Sequence, residues 1–172
     1  MNFFRFVATL FVAIVLGWAG PVSAQVPPNC NMEQVTDPDR KVLKCAFGLI
    51  IELDAAAEMG ISGAILEIDP TDINLQSGAA FIEVEPGSAR PQIRTPHAIA
   101  AVRGTIYVVD VSAEVTSVFV LQGEVFVAST NALNDSVVLG PGEGVDVGAD
   151  ADLTVRTWPE ERVRALLARF GR

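Results

Sequence analysis

The chain has 172 residues with 12 basic and 21 acidic side chains, one His and two Cys, and a formal net charge of -9. That length holds one ordinary domain, or one domain behind a targeting segment, and excludes a large multidomain enzyme. The acidic balance argues against a nucleic-acid partner, which is gripped by clustered Lys and Arg, while 50% apolar and 19% charged residues supply a core and exclude a disordered chain.

Residues 1–24 read as a secretory signal peptide. Arg5 gives a positive start, residues 6–20 are nearly all apolar, and Val22-Ser23-Ala24 offers small residues for cleavage between Ala24 and Gln25. The apolar run is shorter than the ~20 residues a spanning helix needs, and Pro21 stops it, so no permanent membrane span is expected after cleavage. Cys30 stands too far behind the run for a lipid anchor. A periplasmic or secreted location follows, and an oxidising compartment makes a Cys30–Cys45 disulfide the expectation. That bond would tether an N-terminal arm, residues 25–41, and closing such a loop restricts the unfolded chain by roughly 3 kcal/mol. Two Cys and one distant His fall short of a zinc ligand set.

From residue 42 onward Gly, Pro, Asp and Asn punctuate short apolar or alternating runs, the pattern of many short strands. Candidate strands are residues 42–53, 61–68, 79–85, 92–95, 99–102, 105–111, 117–121, 124–128, 136–139, 145–147 and 153–157. Ile106, Tyr107, Val108 and Val109 are apolar on both alternating faces, which predicts a central strand covered on two sides. Three glycines, Gly78, Gly123 and Gly142, each stand between an apolar residue and a short strand. This uneven echo suits either a β-sandwich or a short β-solenoid. Residues 158–172 change character: Pro159 at a first helical position, Glu160 and Glu161 behind it, Arg169 in the last turn and Gly171 as a stop. Val163, Leu166, Leu167 and Phe170 form one apolar stripe, with Arg162 and Arg169 expected in water. The fold class read from these patterns is mainly β, residues 42–157, with one C-terminal amphipathic helix.

The search for chemistry finds little. His97 has no visible nucleophile, and no Gly-x-Ser-x-Gly elbow surrounds any Ser. Asp69 with Asp72, and Glu83 with Glu85, are spaced like solvated groups. Gly142-Glu143-Gly144-Val145-Asp146, with Asp150 and Asp152 behind it, resembles a single nonapeptide calcium turn, but such turns work in tandem copies and Pro141 stands where the first Gly belongs. No metal and no cofactor are expected, and the chain is not read as an enzyme.

One segment stands apart: TPHAIAAVRGTIYVVDV at residues 95–111, followed by VFVLQGEVFV at 118–127 and VVLGPGEGVDV at 137–147. In order, spacing and content these blocks resemble the FecR domain of periplasmic iron-uptake regulators and small exported proteins, over about residues 68–147. The resemblance assigns Thr95, Pro96, Ala98, Ala101, Arg103, Gly104 and Thr105 to the family core, with Val109, Asp110, Gly123, Val125, Gly142 and Gly144 in the downstream blocks. Residues 158–172 look like the ending of the short stand-alone members. A full-length regulator of this type also has a cytoplasmic anti-sigma segment and a transmembrane helix; neither is expected here, nor is sigma-factor binding.

Physically the core motif reads as mainly structural. Pro96 biases Thr95 toward extended geometry, the small Ala98, Ala100 and Ala101 permit close strand approach, and Gly104 allows a turn or bulge. Arg103 is expected as an internal fork to a carboxylate, Asp110 being the candidate, or to loop carbonyls, with ligand or partner binding as the alternative. The sequence thus points to an exported, non-enzymatic binding or signalling-accessory module whose partner is another envelope protein. An envelope-associated structural or glycan-binding β protein is the second reading.

Overall fold

A computed structural model describes residues 29–62, 72–87, 90–132, 135–149 and 153–172. The signal segment, its cleavage point at Ala24 and Gln25, and Asp69, Asp150 and Asp152 lie outside these residues. The punctuated runs become strands β1 (Cys30–Thr36), β2 (Asp39–Cys45), β3 (Leu49–Asp54), β4 (Glu58–Ser62), β5 (Asp72–Val84), β6 (Gln92–Arg94), β7 (Ala98–Val102), β8 (Ile106–Val111), β9 (Val115–Gln122), β10 (Val125–Ser129), β11 (Ser136–Leu139), β12 (Glu143–Gly148) and β13 (Arg156–Thr157). Helix α1 (Glu160–Ala168) closes the described chain.

All thirteen strands belong to one continuous sheet that curls into two layers. The inner layer-to-layer core takes Leu49, Ile51, Ile82, Tyr107, Val109, Val118, Val120 and Val145 from one layer, and Ile73, Ile93, Ala98, Ala100, Val125, Val127 and Leu139 from the other. The first layer, sheet A, runs β1-β2-β3-β5-β8-β9-β12-β13. The second, sheet B, runs β4-β5-β6-β7-β10-β11. Among the described residues only β5 with β6 is parallel, so of the two expected arrangements the layered sandwich describes these residues better than stacked solenoid rungs.

The shared strand is β5. Its first half pairs with β4 and β6, and its second half, from Gly78, pairs with β3 and β8. Gly78 has φ +75, and a Cβ there would lie 2.5 Å from Ala57 Cα, so only a residue without a side chain lets the strand cross between layers against the turn at residues 55–57. Gly78 is therefore a kink inside a strand, not the turn residue its sequence echo with Gly123 and Gly142 suggests.

Three expectations need correction. Of the segment read as an N-terminal arm, the described residues 29–41 belong to a strand hairpin: β1 pairs antiparallel with β2 along its whole length, and Cys30 stands opposite Cys45 with the disulfide closed. Residues 42–53, read as one strand, are two, broken at Phe47 and Gly48, which both have positive φ. Residues 153–157 contribute only the short β13. By contrast β8 lies between β5 and β9 with Tyr107 and Val109 in the inner core and Val108 in a second cluster on the far side, covered on both faces as its sequence predicts.

That second cluster is the outer face of sheet A. Ala79, Phe81, Val108 and Phe119 lie beneath Trp158, Leu166 and Phe170. The helix stripe predicted from the sequence thus packs on sheet, with Phe81 and Phe170 ring centroids 5.7 Å apart and Phe119 stacked on Trp158 at 5.1 Å. Pro159 stands one residue before the helix, and Gly171 at φ +74 ends it. The Arg172 N–H reaches Leu167 C=O and the Gly171 N–H reaches Ala168 C=O, the paired bonds of a Schellman stop.

Candidate functional surfaces

The motif residues gather at two turns. Between β6 and β7, Thr95 Oγ1 donates to Ala98 C=O and accepts from Ala98 N–H, both at 2.9 Å. It also lies 2.9 Å from Thr116 Oγ1, which is itself 3.2 Å from His97 Nδ1. With Thr95 donating to the carbonyl, the consistent order of donors runs from His97 Nδ1–H to Thr116, then to Thr95, then to Ala98 C=O. Thr130 clasps the same turn from the end of β10, its N–H on His97 C=O at 3.0 Å and its hydroxyl on Pro96 C=O at 2.9 Å. His97 therefore serves as a hydrogen-bonding strut of this turn.

At the opposite end of β7, Gly104 has φ +64 and Thr105 is buried, its hydroxyl donating to Glu124 C=O at 3.0 Å. A Cβ on Gly123 would sit 2.8 Å from both Gly104 O and Thr105 Oγ1. The Arg-Gly-Thr turn and the Gly123 turn interlock: a side chain on Gly123 would push them apart, and one on Gly104, at positive φ, would press on Pro86 at 3.1 Å. Val84 N–H adds a bond to Thr105 C=O at 2.9 Å, tying β5 to the same place. Ala98 and Ala100 are buried between the layers while Ala101 faces outward, half-exposed.

Arg103 does not occupy the internal position expected of it. Its side chain is exposed and makes no hydrogen bond or ion pair among the described residues. Asp110, its expected acceptor, instead receives Arg169 Nη1 at 2.8 Å. Register explains this: Asp110 points to the outer face of sheet A, where α1 lies, whereas Arg103 ends a strand of sheet B.

The outer face of sheet A carries the densest ionic network. Arg169, expected in water, bridges Asp54 and Asp110. Arg172 pairs with Glu52 at 2.6 Å and stacks over Phe81 at 4.0 Å, and Arg40 reaches the same Glu52 at 2.9 Å. Arg162 lies 3.4 Å over the Trp158 ring and donates to Asp146 Oδ2 at 2.9 Å, with Ser117 donating to the other Asp146 oxygen at 2.6 Å. Burial alone would raise the Glu52 carboxyl, but Arg172 and Arg40 outweigh it and hold it below the ordinary range. Asp146 is lowered in the same way, burial being opposed by Arg162 and Ser117. For Arg169, burial favours the neutral form, yet Asp54 and Asp110 overcome it and raise the pKa. A cleft of about 330 Å³ under α1, lined by Asp110, Ser117, Trp158, Arg162, Leu166 and Arg169, is walled by these satisfied groups.

The calcium-like stretch is absorbed by the same packing. Asp146 is held by Arg162, Glu143 Oε2 accepts the Gly140 N–H at 2.8 Å, and Gly144 lies flat against Trp158. These carboxylates serve α1 and the 140–143 turn.

The outer face of sheet B differs. Phe126 is 45% exposed and Val138 57%, and the two stand opposite each other on β10 and β11. The row continues through half-exposed Ala101 on β7, opposite Phe126, with half-exposed Ile99 two residues before it. None of these residues belongs to either core cluster. Pairing register between β7, β10 and β11 sets these residues on one face, and only the fold shows that α1 covers the other sheet.

The likeness to solved proteins follows from this architecture. Two crystal structures of chains described as candidate anti-sigma factors from Parabacteroides distasonis resemble the chain. One has TM-score 0.63 and 21% identity over 80% of this chain, the other TM-score 0.58 and 22% identity over 83%. At that identity they show the fold, and the alignment spans 64% and 63% of their own lengths. No protein of curated function matches the sequence. A family model described as FecR protein matches residues 39–126, from β2 to Phe126, reaching further upstream than the motif blocks and stopping before β11. That is just over half of the chain and contains both interlocked turns, and the chain belongs to the FecR protein family.

Proposed function

We propose that this protein is an exported, non-enzymatic signalling-accessory module of the bacterial periplasm, cleaved between Ala24 and Gln25, that works by presenting a surface to another envelope protein. One observation carries the reading. The groups that carry chemistry in other proteins serve the fold here, with His97 on Thr116, Asp146 on Arg162, Asp54 and Asp110 on Arg169, and Glu52 on Arg40 and Arg172. Of the large apolar side chains exposed among the described residues, Phe126 and Val138 stand side by side on the outer face of sheet B, while Met32 on β1 and Phe47 between β2 and β3 are elsewhere. Membership of the FecR family supports a signalling role, and the solved neighbours, described as candidate anti-sigma factors, agree with it.

The test has two parts. Intact mass of the protein recovered from cells should correspond to a chain beginning at Gln25 with no alkylatable thiol before reduction. Mature protein immobilised in envelope extract should retain a defined protein partner. A full-length chain in the cytoplasm, or hydrolysis of a glycan, peptide or ester panel that is lost on changing His97 or one carboxylate, overturns the proposal.

A further inference from the structure

We infer that the outer face of sheet B is a docking surface for an acidic amphipathic helix of a partner protein. The inference rests on the surface-presenting reading above and names the surface and the chemistry of what it takes.

The charge pattern carries it. Among the described residues Arg40, Arg94, Arg162, Arg164, Arg169 and Arg172 each pair with a carboxylate, and Arg156 acts on Asp146. Arg90, Arg103 and Arg156 are exposed and make no ion pair there, Arg156 alone of the three having an effect on a nearby carboxylate, in a chain with 21 acidic and 12 basic groups. Acceptors abound in such a chain, yet neither Arg90 nor Arg103 is engaged by a carboxylate among the described residues. They leave the same end of the β6–β7 pair: Gln92 stands opposite Ala101, and Arg90 and Arg103 each lie two residues beyond that last pair, outside the strands. Like charges at one end of a strand pair repel. Glu124 continues the β7–β10 register opposite Arg103 without an ion pair, which leaves this corner with excess positive charge.

The apolar row begins beside this corner. Pleat alternation puts Ala101 on the same face as Arg103, and Phe126 and Val138 follow across β10 and β11. The protein itself shows what such a face accepts. On sheet A, the apolar stripe of α1 lies on Phe81, Val108 and Phe119, and its flanking arginines reach sheet carboxylates. Sheet B offers the same kind of apolar row with the polarity reversed, the cations being on the sheet. Its complement is a helix with an apolar stripe flanked by Glu or Asp.

The probes are two synthetic amphipathic helices with the same Leu stripe, one with Glu and one with Lys on the polar face, titrated into the isotope-labelled mature protein. The Glu peptide should shift the amides of Ala101, Phe126 and Val138 and bind at least tenfold more tightly than the Lys peptide. The double change Arg90→Glu with Arg103→Glu, at two exposed sites, should invert that preference with the melting midpoint unchanged. Phe126→Asp should abolish binding of either peptide. No binding, a preference for the Lys peptide, shifts confined to sheet A, or self-association of the protein through Phe126 and Val138 overturns the inference. If the envelope partner is retained by the Phe126→Asp variant, this surface is wrong and the surface-presenting reading stands. If wild-type protein retains no partner at all, that reading fails as well.

Discussion

At the scale of single residues, Arg103 and Gly144 show opposite relations between motif and structure. An Arg next to apolar strand residues suggests a buried fork, and loss of such a fork would cost several kcal/mol. Exposed and unpaired, it costs little instead: Arg103→Ala should change stability by less than about 0.5 kcal/mol, the usual range for surface sites without partners. Matched urea melts check this, and a large loss would place Arg103 back in the scaffold. Gly144 draws no attention in sequence beyond its place in a Gly-rich turn. A Cβ there would nevertheless lie 2.4 Å from the Trp158 ring and 2.8 Å from Val118 C=O. Gly144→Ala must displace Trp158 from Phe119 and should destabilise by about 1–3 kcal/mol, as overpacking does, with a shift in Trp158 fluorescence. Thr95, Pro96, Gly104 and Thr105 were legible as backbone-shaping residues because their chemistry is local. Their partners Thr116, Thr130 and Gly123 were not, because nothing in local spacing says which strands converge on a turn.

Among the elements, α1 combines what the sequence displays with what it hides. Its apolar stripe follows from helical period alone, and Leu166 and Phe170 lie where that period puts them. The roles of Arg162, Arg169 and Arg172 depend on which carboxylates face outward from β3, β8 and β12, a matter of register between strands far apart in the chain. These pairs make attachment of the helix pH-dependent. Glu52 and Asp146 are held below their ordinary values in the folded chain, so the unfolded chain takes up their protons first. Their contribution is present above the unfolded values, near about 4, and is lost as pH falls through the folded ones. Urea midpoints should therefore drop between pH 6 and pH 3. Asp146→Asn with Glu52→Gln should lower the midpoint at pH 6 and flatten the drop. The exposure of Asp146, 46% of its side chain, makes Glu52 at 9% the larger contributor. An unchanged slope in the double variant would falsify this account of the helix clasp.

For the molecule as a whole, the decisive feature is that β5 belongs to both layers. Strand alternation predicted only its second half, residues 79–85, because the first half follows a segment punctuated by Asp and Pro and its apolar residues are spaced across a glycine that reads as a turn. A two-layer β protein joined only by loops can lose one layer before the other. Here residues 72–77 align β4 and β6, residues 78–84 align β3 and β8, and the inner core draws on both. Separating the layers therefore means breaking a single strand at Gly78, and unfolding should be one cooperative transition. Two probes report on different parts of the chain. Far-UV circular dichroism follows all strands, and fluorescence follows Trp158, the single Trp after Gln25, on the outer side of sheet A. Their thermal midpoints should coincide in wild type. Gly78→Ala forces an L-residue to φ +75 and sets its Cβ within 2.6 Å of the backbone of Ala56 and Ala57, a left-handed cost of roughly 1–2 kcal/mol before the clash is counted. Both midpoints should fall together by several degrees. If the circular dichroism midpoint fell while Trp158 kept its own, the layers would be separable units and β5 only a connection between them.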